Sequence, residues 1–165
     1  MKKIILIISI LLSLNLYSNN SDKKSNFKLG ASLGVFTSSG FSLEYSFTDK
    51  FSIKASGFLI KNFDKEDKSI YEARLSSLYE LTNNSSNNLY FIASIFKGKS
   101  FPMIQFGGGN NDPFPLEGLS AGFGLKSKMS EITSFIVELQ YVAVLANRDK
   151  TFHLPNINIG LSFNL

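Results

Sequence analysis

The sequence contains no cysteine and a single histidine, His153. Without cysteine the chain has no disulfide framework and no cysteine to which a lipid is attached. After residue 18 no apolar run approaches the roughly 18 residues of a membrane-spanning helix. A mature chain that lies in a membrane must therefore cross it as strands, because only helices and closed barrels satisfy every backbone polar group in lipid.

A strong charge of one sign is also absent. Lysine and arginine number 17 against 13 aspartates and glutamates, and Lys2 and Lys3 supply two of the four net positive charges. A nucleic-acid partner is therefore not expected. The acids of residues 61–69 alternate with lysines, which is typical of a solvated loop tip rather than a calcium site. We expect no metal site and no cofactor.

The N-terminus has a charged start, Met1-Lys2-Lys3, followed by a short apolar stretch and the small residue Ser18. This arrangement predicts a secretory signal peptide over residues 1–18 that is cleaved. A membrane anchor is the alternative, but about 13 apolar-rich positions fall short of the roughly 20 that a helical span needs. Residues 19–26 predict a short polar tail, and residues 27–165 predict one domain.

That domain consists of eight segments. In seven of them apolar and polar residues alternate, the pattern of β-strands with one apolar face, whereas the fifth, residues 89–96, is apolar on both faces. The segments cover residues 27–36, 41–47, 51–59, 71–81, 89–96, 119–126, 134–143 and 154–165. The connections at 48–50, 83–88 and 127–131 are short, whereas those at 61–69, 97–117 and 147–153 are longer, with 37–40 the exception. The pattern predicts an all-β fold, an eight-stranded antiparallel up-and-down transmembrane β-barrel with both termini in the periplasm.

A soluble β-sandwich or lipocalin-like barrel is the alternative, and it places the apolar face inside. Aromatic rings near the segment ends of the apolar face favour the membrane barrel, because such rings form girdles at the membrane–water interfaces. These rings are Phe27, Phe41, Tyr45, Phe47, Phe51, Tyr71 and Tyr79.

The last eight residues resemble the terminal β-signal of bacterial outer-membrane proteins. Asn158, Gly160, Phe163 and Leu165 occupy its polar, glycine, aromatic and terminal apolar places, although Leu165 stands where that family usually has phenylalanine or tryptophan. The size and the eight segments resemble the OmpA/OmpX-type small barrels. The resemblance implies a place in the bacterial outer membrane, with lipid and lipopolysaccharide around the barrel, and insertion by periplasmic chaperones and the barrel-assembly machinery.

Eight strands enclose an interior just wide enough for its own side chains, so we expect a lumen plugged by polar groups. Glu44 and Lys54 each lie five residues from Asp49, and a hairpin centred there sets them opposite each other. The predicted lumen network consists of Glu44, Lys54, Glu72, Arg74, Lys126 and Glu138.

Toward the outer ends the inward positions become apolar, which indicates a packed cap, β-bulges or a pocket for an acyl chain. The residues of this candidate pocket are Phe36, Phe58, Ile60, Phe96 and Val142. Barrels that modify lipid A have such a pocket, and His153 in the predicted loop 147–153 loosely resembles the histidine of a lipid A deacylase. That family places its nucleophilic serine two residues later, where this chain has Pro155, which cannot be a nucleophile.

Three functions follow as hypotheses. The first, which we predict, is a non-enzymatic barrel without catalytic residues that is structural or binds an extracellular ligand through the loops 61–69 and 97–117. The second is a lipid A-modifying acyl hydrolase or acyltransferase. The third is a narrow ion pore.

Overall fold

A computed structural model of the chain describes residues 26–35, 39–60, 70–82, 86–100, 114–147 and 150–165. The predicted signal peptide, residues 1–18, and the predicted tail, except Asn26, lie outside these residues. Within the described ranges no helix is long and apolar enough to cross a membrane.

The chain forms eight antiparallel strands that close into a barrel, in which each strand pairs with the next and β1 pairs with β8. The strands are β1 (Phe27–Gly34), β2 (Gly40–Ser46), β3 (Phe51–Ile60), β4 (Ile70–Glu80), β5 (Asn87–Ser100), β6 (Phe114–Lys128), β7 (Thr133–Asn147) and β8 (Lys150–Asn164). This topology confirms the predicted eight-stranded antiparallel barrel. We call the end at which β1 begins and β8 ends, with the connections 47–50, 81–86 and 129–132, the turn end, and the opposite end the loop end.

The strand registers determine how the barrel closes. Pairing followed once around the barrel from Ser134 on β7, through β8, β1 and the remaining strands, returns to β7 at Val144, ten residues further along the strand. A shear of that size around eight strands corresponds to a strand tilt of about 40°. The inward side chains of one strand therefore meet those of distant strands at the same height.

The predicted loop 97–117 is wrong at both ends. β5 continues to Ser100 and β6 begins at Phe114, so the connection covers only residues 101–113. The outward positions stop being apolar at Lys97 and Glu117. Their side chains form an exposed ion pair with an N–O distance of 3.2 Å. The strands continue after the apolar face has ended, and an apolar pattern alone does not detect that continuation.

The predicted loop 147–153 is also wrong, because β8 begins at Lys150 and pairs with β7 up to Asn147. His153 therefore lies in a strand, opposite Ala143. Pro155 lies inside β8, opposite Tyr141 of β7. The predicted turn at 127–131 shifts to 129–132, since β6 ends at Lys128.

The outward face carries exposed apolar side chains throughout the barrel wall. Leu33, Phe41 and Leu59 are 77%, 78% and 70% exposed. At the turn end, rings of Phe27, Tyr45, Phe47 and Phe51 form a continuous row with centroids 4.8, 4.8 and 5.9 Å apart. Phe41 and Tyr71, which the sequence pattern assigned to the same girdles, are outward and exposed but lie outside this row.

Candidate functional site: the barrel interior

Buried charged side chains cross the lumen in three groups. The group nearest the turn end is centred on Glu44 of β2, whose Oε1 accepts hydrogen bonds from Lys28 Nζ at 2.8 Å and from Lys126 Nζ at 3.1 Å. β2 and β6 are four strands apart in a barrel of eight. The bond between Glu44 and Lys126 therefore spans the interior.

Glu138 of β7 is the centre of the second group and is fully buried. Its Oε1 accepts hydrogen bonds from Lys54 Nζ and from the Tyr90 hydroxyl, the latter at 2.8 Å. Its Oε2 accepts from Gln140 Nε2 at 3.0 Å and from Asn158 Nδ2 at 2.8 Å. Four donors on one carboxylate satisfy its lone pairs, which makes burial of the charge tolerable. Lys54 belongs to β3, again four strands from its partner.

Arg74 of β4 forms the third group, toward the loop end. Its Nε donates to Glu72 Oε1 at 3.1 Å, and its Nη1 donates to Ser120 Oγ at 2.9 Å and to Gln140 Oε1 at 3.3 Å. The guanidinium also lies over the ring of Phe96, 4.6 Å from the ring centroid, a cation–π contact. Gln140 therefore joins the Arg74 and Glu138 groups into one network.

Eight charged side chains of the described strands belong to the polar network of the lumen. Four cations face four carboxylates, and Glu80 completes the set by accepting a hydrogen bond from Asn88 Nδ2 at 3.3 Å. These residues are Lys28, Lys54, Arg74, Lys126, Glu44, Glu72, Glu80 and Glu138.

All six residues of the predicted lumen network are buried in the barrel interior. Glu44 does lie directly opposite Lys54, which confirms the register expected from the hairpin. Their hydrogen bonds, however, go to Lys126 and Glu138 on the far wall. The sequence predicted correctly that Glu44 and Lys54 are neighbours in the sheet. It did not predict their hydrogen-bond partners across the lumen.

Lys28 and Tyr90 are among the residues of the lumen network that the sequence analysis did not assign to it. The segment that contains Tyr90 is apolar on both faces, so alternation did not assign its inward side. Tyr90 is paired with Gly124 in the register, and its ring occupies the space that a side chain at Gly124 would need. A glycine opposite an aromatic residue is the signal that identifies such an inward ring.

Gly124→Ala is expected to lower the free energy of unfolding by about 1–3 kcal/mol, the usual cost of overpacking. A Cβ atom there would overlap Cζ and Oη of Tyr90, which is 1% exposed and bonded to Glu138. Urea unfolding of the protein in detergent micelles measures the change. In a Tyr90→Leu background the same substitution should cost much less, and an equal cost in both backgrounds would contradict the clash.

The candidate apolar pocket is only partly within the described residues. Phe96 and Val142 are buried and pack with Val144. Phe58 is half-buried. Phe36 and the side chain of Ile60 lie outside the described residues, so the acyl-chain pocket stays a prediction.

His153 lies on the outward face of β8, away from the Phe96 cluster. Its ring is exposed and stacks on Tyr141, with centroids 5.5 Å apart and an interplanar angle of 22°. This position corrects the prediction that His153 lies in the loop 147–153.

Two residues of the predicted assembly signal point into the barrel and two point outward. Asn158 and Gly160 are inward and buried, whereas Phe163 and Leu165 are outward and about two-fifths exposed. The backbone N–H of Leu165 donates to Phe27 O at 3.2 Å, so this residue extends the pairing that closes the barrel. Its role in assembly stays a prediction.

No protein-family model matches the chain, and no curated protein sequence matches it. Among solved structures, the chain is similar to the N-terminal β-barrel domain of OprF from Pseudomonas aeruginosa, with a TM-score of 0.59, 16% identity and coverage of 87% of this chain and 100% of that one. It is also similar to Neisserial surface protein A, NspA (TM-score 0.51, 15% identity, 87% and 100% coverage), and to the de novo designed barrel TMB2.3 (0.51, 14%, 88% and 98%). At these identities the similarity concerns the fold, and the chain has the closed eight-stranded barrel fold found in small outer-membrane proteins.

Proposed function

We propose that this protein is a non-enzymatic barrel of the bacterial outer membrane, without an open channel, whose role is structural or lies in binding at the cell surface. Residues 1–18 serve as a cleaved signal peptide, residues 19–26 are a short tail, and residues 27–165 form the barrel. The loop end faces the outside, since outer-membrane barrels have short periplasmic turns and longer extracellular loops. The longer connections, 61–69 and 101–113, are then the candidates for ligand binding.

The apolar outer wall supports the membrane location. On β7 every outward residue from Phe135 to Leu145 is apolar, and ten residues of a strand tilted by about 40° rise about 25 Å. That height equals the apolar band of outer-membrane barrels. The first charged outward side chains at the loop end of β5 and β6 are Lys97 and Glu117, close to where this band would end.

The ion pairs across the diameter support a closed lumen. This is the single observation that carries the proposal against an open pore: Lys54 with Glu138, and Glu44 with Lys126, each join opposite walls. The interior of an eight-stranded barrel holds little beyond its own side chains. His153, the residue considered for lipid A hydrolysis, lies on the outer face of the barrel wall with its ring stacked on Tyr141.

The protein is expected to fractionate with outer membranes and to require detergent or lipid to stay folded. On gels the unheated detergent-folded protein should migrate differently from the heated protein, and planar bilayers containing it should show no steady conductance. A monomer that remains soluble without detergent would exclude the membrane location. A steady conductance would exclude the closed lumen while leaving the location intact.

A further inference from the structure

Three buried polar atoms on neighbouring strands have no hydrogen-bond partner among the described residues. They are Nη2 of Arg74, Oγ of Ser76 and Oγ of Ser94. These residues are only 4%, 2% and 6% exposed. Buried polar groups in folded proteins are almost always paired with protein groups or with ordered water, because an unpaired one is costly. The three atoms therefore point to a shared partner.

The strand registers place the three residues next to one another. Ser76 on β4 lies opposite Ser94 on β5, and Ser94 lies opposite Ser120 on β6. Arg74 is two residues from Ser76 on β4 and is also buried on the inward face. Its Nη1 donates to Ser120 Oγ at 2.9 Å. The side chain therefore reaches from β4 to β6, past the strand that carries Ser94.

The guanidinium of Arg74 requires a partner that accepts hydrogen bonds. It has five N–H groups and no acceptor of its own. Nε donates to Glu72, and Nη1 donates to Ser120 and Gln140. The two N–H groups of Nη2 have no acceptor among the described residues. Burying the N–H groups of a cation without an acceptor has a high cost in free energy.

Bulkier side chains enclose Ser76 and Ser94. Phe96 and Ile92 are the inward neighbours of Ser94 on β5, and both are buried. Lys54 lies opposite Ser76 on β3 and is also buried. Bulk solvent therefore does not reach the two hydroxyls, and their partner has to be enclosed with them. A buried water needs only space of its own size and about two to four polar partners.

We propose that Arg74, Ser76 and Ser94 hold an ordered water molecule inside the barrel. The oxygen of this water accepts a hydrogen bond from Arg74 Nη2, and the hydroxyls of Ser76 and Ser94 are its further partners. The water supplies the acceptor that the guanidinium needs and joins Arg74 to β5. The site lies within the described interior, and the inference does not depend on the membrane location.

Water fits this site better than a small anion. The two cations beside the serines already have carboxylate partners, since Arg74 bonds to Glu72 and Lys54 bonds to Glu138. An additional negative charge would be buried without a cation of its own, at a high cost in free energy. Serine hydroxyls both donate and accept hydrogen bonds, as water does.

A high-resolution crystal structure of the detergent-folded protein tests the site directly. Solvent density is expected at about 2.7–3.2 Å from Arg74 Nη2 and from at least one of the two serine hydroxyls. Crystals grown with sodium bromide should show no anomalous peak at this position. A bromide peak would overturn water as the ligand. A direct bond from Nη2 to a serine hydroxyl, without density beside it, would overturn the site.

Alanine variants test the site in solution. Ser76→Ala and Ser94→Ala are expected to lower the urea midpoint of unfolding in detergent micelles, because each loses a hydrogen bond to the water. Ser120→Ala is the matched control, since its hydroxyl bonds to Arg74 and Gln140 and its loss should lower the midpoint by a similar amount. Gel migration without heating confirms that each variant folds.

Unchanged or higher midpoints for both Ser76→Ala and Ser94→Ala, beside a lower midpoint for Ser120→Ala, would overturn the proposal. Removing a buried hydroxyl that has no partner is neutral or stabilising, whereas removing one that is hydrogen-bonded leaves its partner unsatisfied. The direction of the shift therefore separates hydrated serines from unpaired ones.

Discussion

Replacing Glu138 by leucine is expected to lower the free energy of unfolding by about 3–5 kcal/mol, the cost of removing one partner of a buried ion pair. The substitution leaves the Lys54 ammonium buried without its counter-ion. It also removes the acceptor of the Tyr90 hydroxyl and of the Asn158 amide. Urea unfolding in detergent micelles measures the loss. Because the sequence has no tryptophan, unfolding is followed by far-ultraviolet circular dichroism and by gel migration.

Two controls separate the buried pair from charge effects in general. The double variant Lys54→Met/Glu138→Leu should recover a large part of the loss, because both buried charges are gone. Glu117→Gln breaks the pair with Lys97, whose side chains are 72% and 56% exposed, and should change stability by less than about 1 kcal/mol. A Glu138→Leu variant as stable as Glu117→Gln would show that the hydrogen-bonded group around Glu138 does not stabilise the barrel.

Leu139→Arg is expected to destabilise the barrel in lipid vesicles by about 2–4 kcal/mol, the cost of an arginine at the bilayer midplane. Leu139 neighbours Glu138 but points outward and is 59% exposed. In water an exposed leucine-to-arginine change costs little. The measured loss therefore reports lipid at this position.

Leu145→Arg is the matched control on the same strand. Leu145 is also outward and half-exposed, but it lies near the loop end of β7, where the cost of arginine in a membrane falls to about 0–1 kcal/mol. A clear difference between the two variants supports a membrane-embedded wall. Equal and small effects would contradict the membrane location, whatever the state of the lumen.

The strand ends show where the sequence pattern lost its predictive value. Alternation of apolar and polar residues located seven of the eight strands, because one face of each strand meets the outside of the barrel, and a short apolar run located β5. The pattern ended β5 near Phe96 and began β8 at Leu154, although the strands continue to Ser100 and back to Lys150. Strand pairing extends beyond the apolar face, and backbone hydrogen bonds there do not depend on an apolar side chain.

The sequence by itself determined the number of strands, their antiparallel order and, outside β5, the face on which each side chain lies, because these depend on period-two alternation and on short connections. It also determined that Glu44 opposes Lys54, since a hairpin sets the register of its own two strands. Only the tertiary structure decided that these two residues bond to Lys126 and Glu138 and that Tyr90 fills the space above Gly124. Those contacts join strands far apart in sequence, and the shear of the closed barrel sets the height at which they meet.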